Sequence, residues 1–385
     1  MKFTLLALGS ALSAQAAVLG KRAAVVGKPE GFATGTTGGG SAACAVPSST
    51  AQLKTWLSDS TARCIVLDKE FNFKGTEGTT KENGCRPASN KCPGAGGQDA
   101  INKASWCTNG NAGAGVKTIS VTYDTAGVAG LTVGSNKSII GVGSKGVIRG
   151  KGLRIANGAK NVIIQNIHIT ELNPQYIWGG DAITVDGSDL VWVDHCKFSL
   201  IGRQMFVAGN GASNRVTLSN NEFDGQTSWS ATCDGRHYWA IYLTGSNDLI
   251  TMKNNYIHHT SGRSPKIGGN SLVHAVNNYF RDNTGHAFDN GASGGKVVAE
   301  GNVFQNVKTP LLENKGQFFG SPSATANAVC SANLKHVCQL NAFGSSGTLG
   351  GTDSGVLANF SGKSVATAAV ANAANIVAVA GVGKI

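Results

Sequence analysis

Apolar and polar positions along the middle of the chain form one pattern that returns six times. Each copy is a short apolar strand, a polar corner and a second short strand, and successive copies begin 29, 25, 34, 23 and 24 residues apart. A repeat of this length predicts a solenoid or a propeller. The copies are 162–169 (VIIQNIHI), 191–198 (VWVDHCKF), 216–223 (VTLSNNEF), 250–257 (ITMKNNYI), 273–280 (VHAVNNYF) and 297–304 (VVAEGNVF).

The corners and the unit length decide between these architectures. A propeller blade needs about 40 residues and four strands, so a turn of a parallel β-helix fits better. Asn tolerates the left-handed backbone of a tight corner, and stacked Asn side chains can hydrogen-bond along the axis. We expect one such column, with Cys196 in it as a buried, unpaired thiol. Its other members are Asn221, Asn255, Asn278 and Asn302.

The ends of the repeat and one insertion follow other patterns. Residues 49–57 (STAQLKTWL) predict an amphipathic helix with Ser or Thr at its N-cap, which would cover the N-terminal end of the solenoid. The Ala- and Val-rich tail 364–385 is expected to pack along the outside. Residues 75–115 are rich in Gly, Asn and Cys without periodicity, and we expect a long loop tied by disulfides.

The first residues are typical of a secretion signal. Lys2 precedes an apolar stretch at 3–12, and 14–16 (AQA) matches a signal-peptidase site. We predict a signal peptide at 1–16 with possible trimming to residue 22, and one secreted domain at 23–385. No later run reaches about 18 uninterrupted apolar residues, the length that spans a bilayer.

Composition and charge limit the class of protein and the kind of binding partner. Gly supplies 53 of 385 residues and charged residues only 14%, which excludes a coiled coil and a charge-driven disordered protein. The formal charge is +11, and removal of 1–22 leaves 30 basic against 22 acidic residues, a balance of +8. The chain has no nucleic-acid motif and no Lys/Arg run, so we expect an acidic extracellular polysaccharide as partner, not nucleic acid or a membrane.

Nine cysteines in a secreted chain predict disulfides and one odd thiol. No two have the C-x₂₋₄-C spacing of a structural zinc site, and spacing alone leaves the pairing open. The cysteines are Cys44, Cys64, Cys85, Cys92, Cys107, Cys196, Cys233, Cys330 and Cys338.

Aromatic residues concentrate in the longer insertions between repeats, which should lie on one side and form a cleft. For the longest insertion, with Trp229, Tyr238 and Trp239, we expect an exposed surface that stacks on sugar rings. Packing in the core is the alternative for each ring. The candidate substrate contacts are Tyr176, Trp178, Trp229, Tyr238, Trp239 and, in the disulfide-tied loop, Trp106.

Charged residues beside small ones follow the turns of the repeat. Asp181 follows two glycines, and Arg203 follows Gly202. Arg263 and Lys266 lie in the segment SGRSPK. Small neighbours let a substrate approach the backbone closely. Each charge alone is equally typical of a surface salt bridge, but together with the aromatic residues they predict a site.

Three segments carry a specific family resemblance over about residues 31 to 360. They resemble the signatures of the pectin and pectate lyase family, polysaccharide lyase family 1, and within it those of fungal pectin lyases. The resemblance implies an all-β fold, a single-stranded right-handed parallel β-helix with an N-terminal capping helix and long cleft-forming loops. It also implies cleavage of galacturonan by β-elimination. The segments are 179–185 (GGDAITV), 191–195 (VWVDH) and 261–266 (SGRSPK).

The resemblance implies Arg263 as the catalytic group, with Asp181 and Arg203 beside it. Arg263 would remove the proton on C5 of a galacturonate unit. Arg203 and Lys266 would stabilise the charge that develops on the C6 group, while Asp181 orients Arg203 by a charge-assisted hydrogen bond. Arginine is normally always charged and a buried lysine shifts its pKa more readily, so Lys266 is the alternative base.

Two positions bear on the choice of substrate. Pectate lyases bind Ca²⁺ through several acidic side chains, the ligands that this ion prefers. Arg203 stands where one of these carboxylates would be expected, and Gly268 stands where pectate lyases usually carry a second arginine. We therefore expect a secreted, endo-acting pectin lyase that needs no cofactor or metal and acts on methyl-esterified galacturonan.

Other functions remain open. The first alternative is a calcium-dependent pectate lyase, and the second is a non-catalytic pectin-binding β-helix. A polygalacturonase would share the fold but needs paired carboxylates for hydrolysis, and no cluster of aspartates in adjacent turns is present.

The resemblance also implies three disulfides, and parity then pairs Cys44 with Cys64. Asn136 and Asn359 begin N-glycosylation sequons. We expect a monomer. The implied disulfides are Cys85–Cys107, Cys92–Cys233 and Cys330–Cys338.

Overall fold

Three faces of parallel strands wind around one apolar core in the computed structural model of this chain, which describes residues 24–385. Each turn passes from sheet A across a tight corner to sheet B, and then through a longer loop to sheet C. Connections between parallel strands are right-handed in nearly all proteins, and the chain is a right-handed parallel β-helix, as predicted. The predicted signal peptide at 1–16 and the trimming site at 22 lie outside the described residues.

Sheet A and sheet B meet at the corner of each repeat. The strands of sheet A are Cys44–Ala45, Arg63–Leu67, Lys137–Gly141, Lys160–Gln165, Asp189–Asp194, Asn214–Ser219, Asp248–Lys253, Ser271–Val276, Lys296–Glu300 and Gln317–Phe319. Those of sheet B are Glu70–Asn72, Val147–Arg149, His168–Leu172, Lys197–Ile201, Glu222–Asp224, Tyr256–His258, Tyr279–Asn290, Val303–Asn314 and Ala342–Gly344.

Sheet C closes the turn on the side of the long loops, and Tyr279–Asn290 runs from sheet B into it. Its other strands are Leu131–Val133, Leu153–Ala156, Ile183–Asp186, Phe206–Ala208, Ile241–Leu243 and Lys266–Ile267.

The predicted repeat is the strand register of sheet A. Val162 pairs with Val191, and Val191 pairs with Val216. The same column continues through Ile250 and Val273. These side chains all belong to the main core, because alternate residues of a strand point to the same face of the sheet. The apolar pattern is therefore the cause of the stacking.

The predicted column of corner residues is present. Each member's backbone N–H donates to the side-chain Oδ1 of the next member, over 2.8–3.1 Å from Cys196 through Asn302. The column continues to Asn341, which the repeat pattern did not include. Cys196 is fully buried and free, and burial raises the pKa of its thiol to about 12. The thiol is therefore structural.

The capping elements lie where the sequence predicts them. Helix α1 (Thr50–Ser58) begins after Ser49, whose Oγ accepts from the Gln52 N–H, and its Leu53 and Leu57 are buried in the main core. Helices α2 (Ala324–Asn327), α3 (Ser331–Leu334) and α4 (Ala373–Val379) follow near the C-terminus. Short 3₁₀ segments are Gly31–Ala33, Lys103–Ser105, Thr125–Val128, Ala328–Cys330 and Ser354–Phe360.

The tail after residue 364 packs along the outside of the corners, as expected. The Gly381 N–H donates to the Asn220 carbonyl at 2.8 Å, and the Gly383 N–H donates to Asn166 Oδ1 at 2.7 Å. In the described part of the chain, none of the helices has the length and apolar character needed to cross a membrane.

The expected long loop at 75–115 is tied by disulfides as predicted, but it also contains strands that the sequence analysis did not predict. Thr79–Arg86 pairs antiparallel with Lys117–Asp124, and the small sheet is completed by Asp99–Ala100 and Tyr176–Ile177. The segment TTKENGCR is polar on both faces and therefore shows no strand period. The small sheet lies beside the loops that connect sheets B and C.

The disulfides join the pairs that the resemblance and parity gave: Cys44–Cys64, Cys85–Cys107, Cys92–Cys233 and Cys330–Cys338. Of the two sequon residues, Asn136 is exposed, whereas Asn359 is half-buried and donates its amide to the Val356 carbonyl at 2.9 Å. Both glycans remain predictions.

Candidate active site

The connections from sheet B to sheet C bring the predicted charged residues together. Each connection leaves a strand of sheet B at the same height on its turn, so residues from successive loops stack along the axis. Asp181, Arg203 and Arg263 come from three such loops, and Lys266 begins the strand of sheet C that follows the third. The site is therefore built by the repeat itself.

Arg203 lies flat on an aromatic ring. Its guanidinium carbon is 3.4 Å from the centre of the Trp178 ring, which is a stacking distance. Burial lowers the pKa of Arg203, the nearby Asp181 acts to raise it, and Arg263 acts to lower it. The guanidinium is therefore held against the ring, and 19% of the Arg203 side chain remains exposed.

Asp181 fixes the chain next to Arg203. Its Oδ1 accepts the Gln204 N–H at 2.9 Å, and its Oδ2 lies 3.8 Å from Arg203 Nη1. Burial raises the pKa of the Asp181 carboxyl, against the lowering effect of Arg203. The 3.8 Å contact is an ion pair and not the charge-assisted hydrogen bond predicted above. Asp181 therefore orients Arg203 mainly through the backbone of the neighbouring residue.

Arg263 is surrounded by rings. Its guanidinium carbon is 4.6 Å from the centre of the Trp239 ring, 5.4 Å from that of Tyr242 and 5.5 Å from that of Tyr238. Within residues 24–385 no carboxylate forms a salt bridge with it, and its Nε is buried without a hydrogen-bond partner. The guanidinium is thus positioned without being neutralised.

Lys266 has a different environment. Its Nζ is 2.8 Å from Asp289 Oδ2. Burial acts to raise the pKa of Asp289, but the hydrogen bond and charge of Lys266 outweigh it and leave that pKa lowered. The pair is therefore ionic, which disfavours Lys266 as the base.

Two buried histidines near the arginines were missed by the sequence analysis. His237 Nε2 lies 2.7 Å from the Arg203 carbonyl oxygen, and the Arg263 N–H donates to His286 Nε2 at 3.1 Å. Burial lowers the pKa of His237 to about 4 and also lowers that of His286. The repeat carried a signal for them, since they lie 34 and 23 residues after their arginines, one turn on.

The expected exposed surface of rings is wrong for Trp239. Trp239 and Trp106 are each 9% exposed and pack in a cluster with Ile177. The Trp239 Nε1–H donates to Gln98 Oε1 at 3.0 Å, so a residue 141 positions away in sequence covers the ring. Trp239 therefore contacts Arg263 as a buried ring and not as part of an exposed surface.

The remaining candidate rings divide into two places. Tyr238 is half-buried and stands edge-on to Trp239 at 4.8 Å. Tyr176 stands edge-on to Tyr123 at 6.5 Å. Trp229 is 37% exposed and lines a cavity of about 350 Å³ with Tyr123 and Leu200, and none of the four charged site residues lines that cavity.

The surroundings of Asp181 do not fit a calcium ion. Ca²⁺ takes six to eight oxygen ligands, mostly from several carboxylates. In the part of the chain that the structure describes, one group of three His, Cys, Asp or Glu side chains is close enough to share an ion, and it lies on sheet B: Glu222, Asp224 and His258. At Asp181 the neighbouring charged group is the Arg203 cation and not a second carboxylate.

Known proteins are similar to this chain over most of its length. The profile of the pectate lyase family matches residues 107–385. Pectin lyase B of Emericella nidulans is 58% identical over 369 residues, which are 94% of this chain and 95% of that protein. A pectin lyase of Colletotrichum gloeosporioides is 61% identical over 380 residues, 98% of each chain.

Solved structures share the fold at low identity. A pectate lyase from Bacillus sp. N165, solved in complex with trigalacturonate, has a TM-score of 0.58 at 22% identity and covers 92% of this chain and 99% of its own. A pectate lyase from Acidovorax avenae subsp. citrulli has a TM-score of 0.55 at 16% identity, over 93% and 95% of the two chains.

Proposed function

This chain belongs to the pectate lyase family, and on that premise we propose that it is a pectin lyase, which cleaves methyl-esterified galacturonan by β-elimination. One observation carries the substrate class. The Arg203 cation lies on Trp178 beside Asp181, where a calcium-dependent enzyme needs carboxylates. A neutral ester chain needs no bridging metal to bind between such groups, because it brings no negative charge of its own.

In the proposed reaction Arg263 first gives one guanidinium proton to solvent and then takes the proton from C5, which returns it to the cation. The electron pair of the broken C5–H bond forms the C4–C5 double bond, and the C4–O4 bond breaks. The departing oxygen takes a proton from solvent and becomes the new chain end. Arg263 suits this step because it lacks a carboxylate partner in the described chain. Its Nε is buried, so the terminal nitrogens are proposed to face the sugar.

Arg203 is proposed to stabilise the negative charge that develops on the C6 ester group. A fixed cation that is already desolvated costs little reorganisation when that charge appears. Asp181 holds the backbone beside Arg203. Lys266 is proposed to contact the same ester group as a secondary donor, while remaining paired with Asp289.

The rings are proposed to bind the sugar chain at different distances from the reacting bond. Trp178 contacts Arg203 and Tyr238 contacts Arg263, with Trp106 and Trp239 as buried support. Tyr176, which packs on Tyr123, is proposed to bind the chain further along. Trp229 is proposed to contact a more distant part of the polymer. We also propose that the protein is secreted and acts as a monomer, in an endo mode, to release unsaturated oligosaccharides.

One assay tests the proposal directly. Highly methyl-esterified pectin and fully de-esterified polygalacturonate are supplied separately, with EDTA and with calcium, and the ultraviolet absorbance of unsaturated ends is followed. We expect turnover on the ester that EDTA does not diminish. Activity that appears only with calcium, or only on the de-esterified polymer, would contradict the proposal, and reducing ends without absorbance would indicate hydrolysis.

A further inference from the structure

The two histidines beside the arginines bind them with opposite hydrogen-bond polarity. A carbonyl oxygen only accepts, so His237 must carry its proton on Nε2 to bond the Arg203 carbonyl at 2.7 Å. A backbone N–H only donates, so His286 Nε2 must present a lone pair to Arg263 at 3.1 Å. His286 is therefore neutral, with its proton on Nδ1.

The imidazole of His286 supports both the backbone and the rings at Arg263. It is 7% exposed and stands edge-on to Tyr238, with centroids 5.8 Å apart. Gly262 permits this contact, because a Cβ there would lie 2.5 Å from the Tyr238 ring and 3.0 Å from His286 Cε1. Arg263 itself has a φ of +44°, a conformation that a non-glycine residue keeps only when its surroundings enforce it.

The charges around His286 favour the neutral imidazole. Burial is the largest cause of its lowered pKa, Arg263 and Lys266 lower it further, and Asp289 on the same strand acts against them. Tyr238 is the titratable neighbour from the preceding loop. Across the sheet the paired residue is the neutral Thr309.

We propose that His286 is a positioning residue, which fixes Arg263 for proton removal only while the imidazole is neutral. Protonation would put a hydrogen on Nε2 opposite the Arg263 N–H and a second cation beside the guanidinium. The hydrogen bond would be lost, and turnover would fall on the acid side. His237 has no such effect, because its protonated form keeps the Nε2–H that the Arg203 carbonyl accepts.

The test compares pH profiles of kcat on highly esterified pectin. His286→Gln keeps a hydrogen-bond acceptor that does not titrate, so we expect its kcat near neutral pH to stay within about threefold of the parent's. The fall of kcat on the acid side, the acid limb of the profile, should move to a pH about one unit lower or more. His286→Ala should lower kcat about tenfold with little change in KM. His237→Gln is the matched control, and its acid limb should stay at the parent's pH.

A second measurement does not depend on the variants folding. Nitrogen chemical shifts of the parent should report the Nδ1–H tautomer for His286 and a titration midpoint that matches the acid limb. An Nε2–H tautomer, or an unmoved acid limb in His286→Gln, would overturn the inference. The inference rests on the proposed role of Arg263, so Arg263→Ala is measured in parallel. Full turnover of Arg263→Ala would refute the proposed role of Arg263. If Arg263→Ala is inactive but the acid limb of His286→Gln stays at the parent's pH, only the inference about His286 is refuted.

Discussion

The outer face of sheet B and the loops toward sheet C hold cations in opposite ways. On sheet B, Lys197 Nζ lies 2.8 Å from Glu222 Oε1 and 3.1 Å from Asp224 Oδ2, with His258 Nε2 3.3 Å from the same Glu222 oxygen. At the loops, Arg263 has three aromatic rings around it and no salt bridge within residues 24–385. Both places are built by stacked turns, so the difference lies only in the partners.

The difference separates cations that stabilise the fold from cations that are available to a substrate. Lys197 is neutralised by two carboxylates, and it occupies the position that an ion would need in the group of Glu222, Asp224 and His258. Rings hold Arg263 without cancelling its charge, because a ring attracts a cation through its quadrupole only. Arg203 also lies on a ring, and the carboxylate near it, that of Asp181, is 3.8 Å away. The site can therefore direct its positive charge at an ester group.

The largest effect is expected from removing Arg263, the cation that rings hold without a carboxylate partner in the described chain. We expect Arg263→Ala to lower kcat by about 10³-fold, the range of a lost acid–base group, with folding unchanged. The measurement is the initial rate of ultraviolet absorbance on esterified pectin. Arg281→Ala on the exposed edge of sheet B, where Arg281 pairs with Asp282, is the matched control and should keep the parent's rate. Equal losses of kcat in Arg263→Ala and Arg281→Ala would contradict the division between cations that act on substrate and cations that stabilise the fold.

Arg203 tests the second half of the contrast, with a smaller expected loss. Arg203→Ala should lower kcat about 10²-fold, as for one lost donor to a developing anion. Arg203→Lys should recover only part of it, because an ammonium lacks the planar group that lies on Trp178. Full recovery by lysine would show that charge alone suffices, and recovery of Arg203→Ala by calcium would show that the cation only replaces a metal.

The sequence alone predicted the contacts between equivalent residues of successive repeats. It did not predict contacts between segments that lie far apart in the chain. The columns of Val162 and of Asn221 follow from the spacing, because equivalent residues on successive turns must stack. The candidate residues Asp181, Arg263 and Lys266 lie within the family motifs. Arg203 lies outside them and is a candidate because it is a charge that follows a glycine after a repeat turn. The burial of Trp239 was missed, because Gln98 reaches it from an insertion without periodicity.

Partners one turn apart lie between these extremes. Lys266 and Asp289 are 23 residues apart, and so are Arg263 and His286. The period indicates that such residues lie on adjacent turns, but the direction and protonation of each side chain depend on packing. The neutral imidazole and the ionic pair could therefore not be read from the spacing.

The sheet B cluster should show itself in stability rather than in turnover. Burial acts to raise the pKa of Glu222, but His258 and Lys197 outweigh it and lower that pKa to about 2. A depressed carboxyl pKa stabilises the fold above the unfolded value near 4.5, and this contribution is lost as pH falls toward about 2. We expect Glu222→Gln to cost about 2 kcal/mol of unfolding free energy at pH 6, with the difference from the parent shrinking to near zero by pH 2.

Urea unfolding at several pH values measures this effect. Glu313→Gln is the control, since Glu313 is 53% exposed and its contact with Lys315 is 3.4 Å long. A Glu222→Gln deficit that stays constant with pH would place its cause in packing and not in ionisation.

Substitution of Trp229 has the smallest expected effect. It tests how far from the reacting bond the aromatic residues still contribute to substrate binding. Its ring is 37% exposed and lines a cavity apart from the four charged residues, so it should bind polymer without touching the chemistry. We expect Trp229→Ala to raise KM for long esterified pectin about threefold, the effect of one lost stacking contact, while kcat changes less. Trp229→Phe keeps a ring and should recover most of the affinity. The comparison of long pectin with short esterified oligosaccharides decides the point: a KM increase that is equal for both would mean that Trp229 contacts the sugar at the cleavage site, and the rings of this loop would then act together with Trp178.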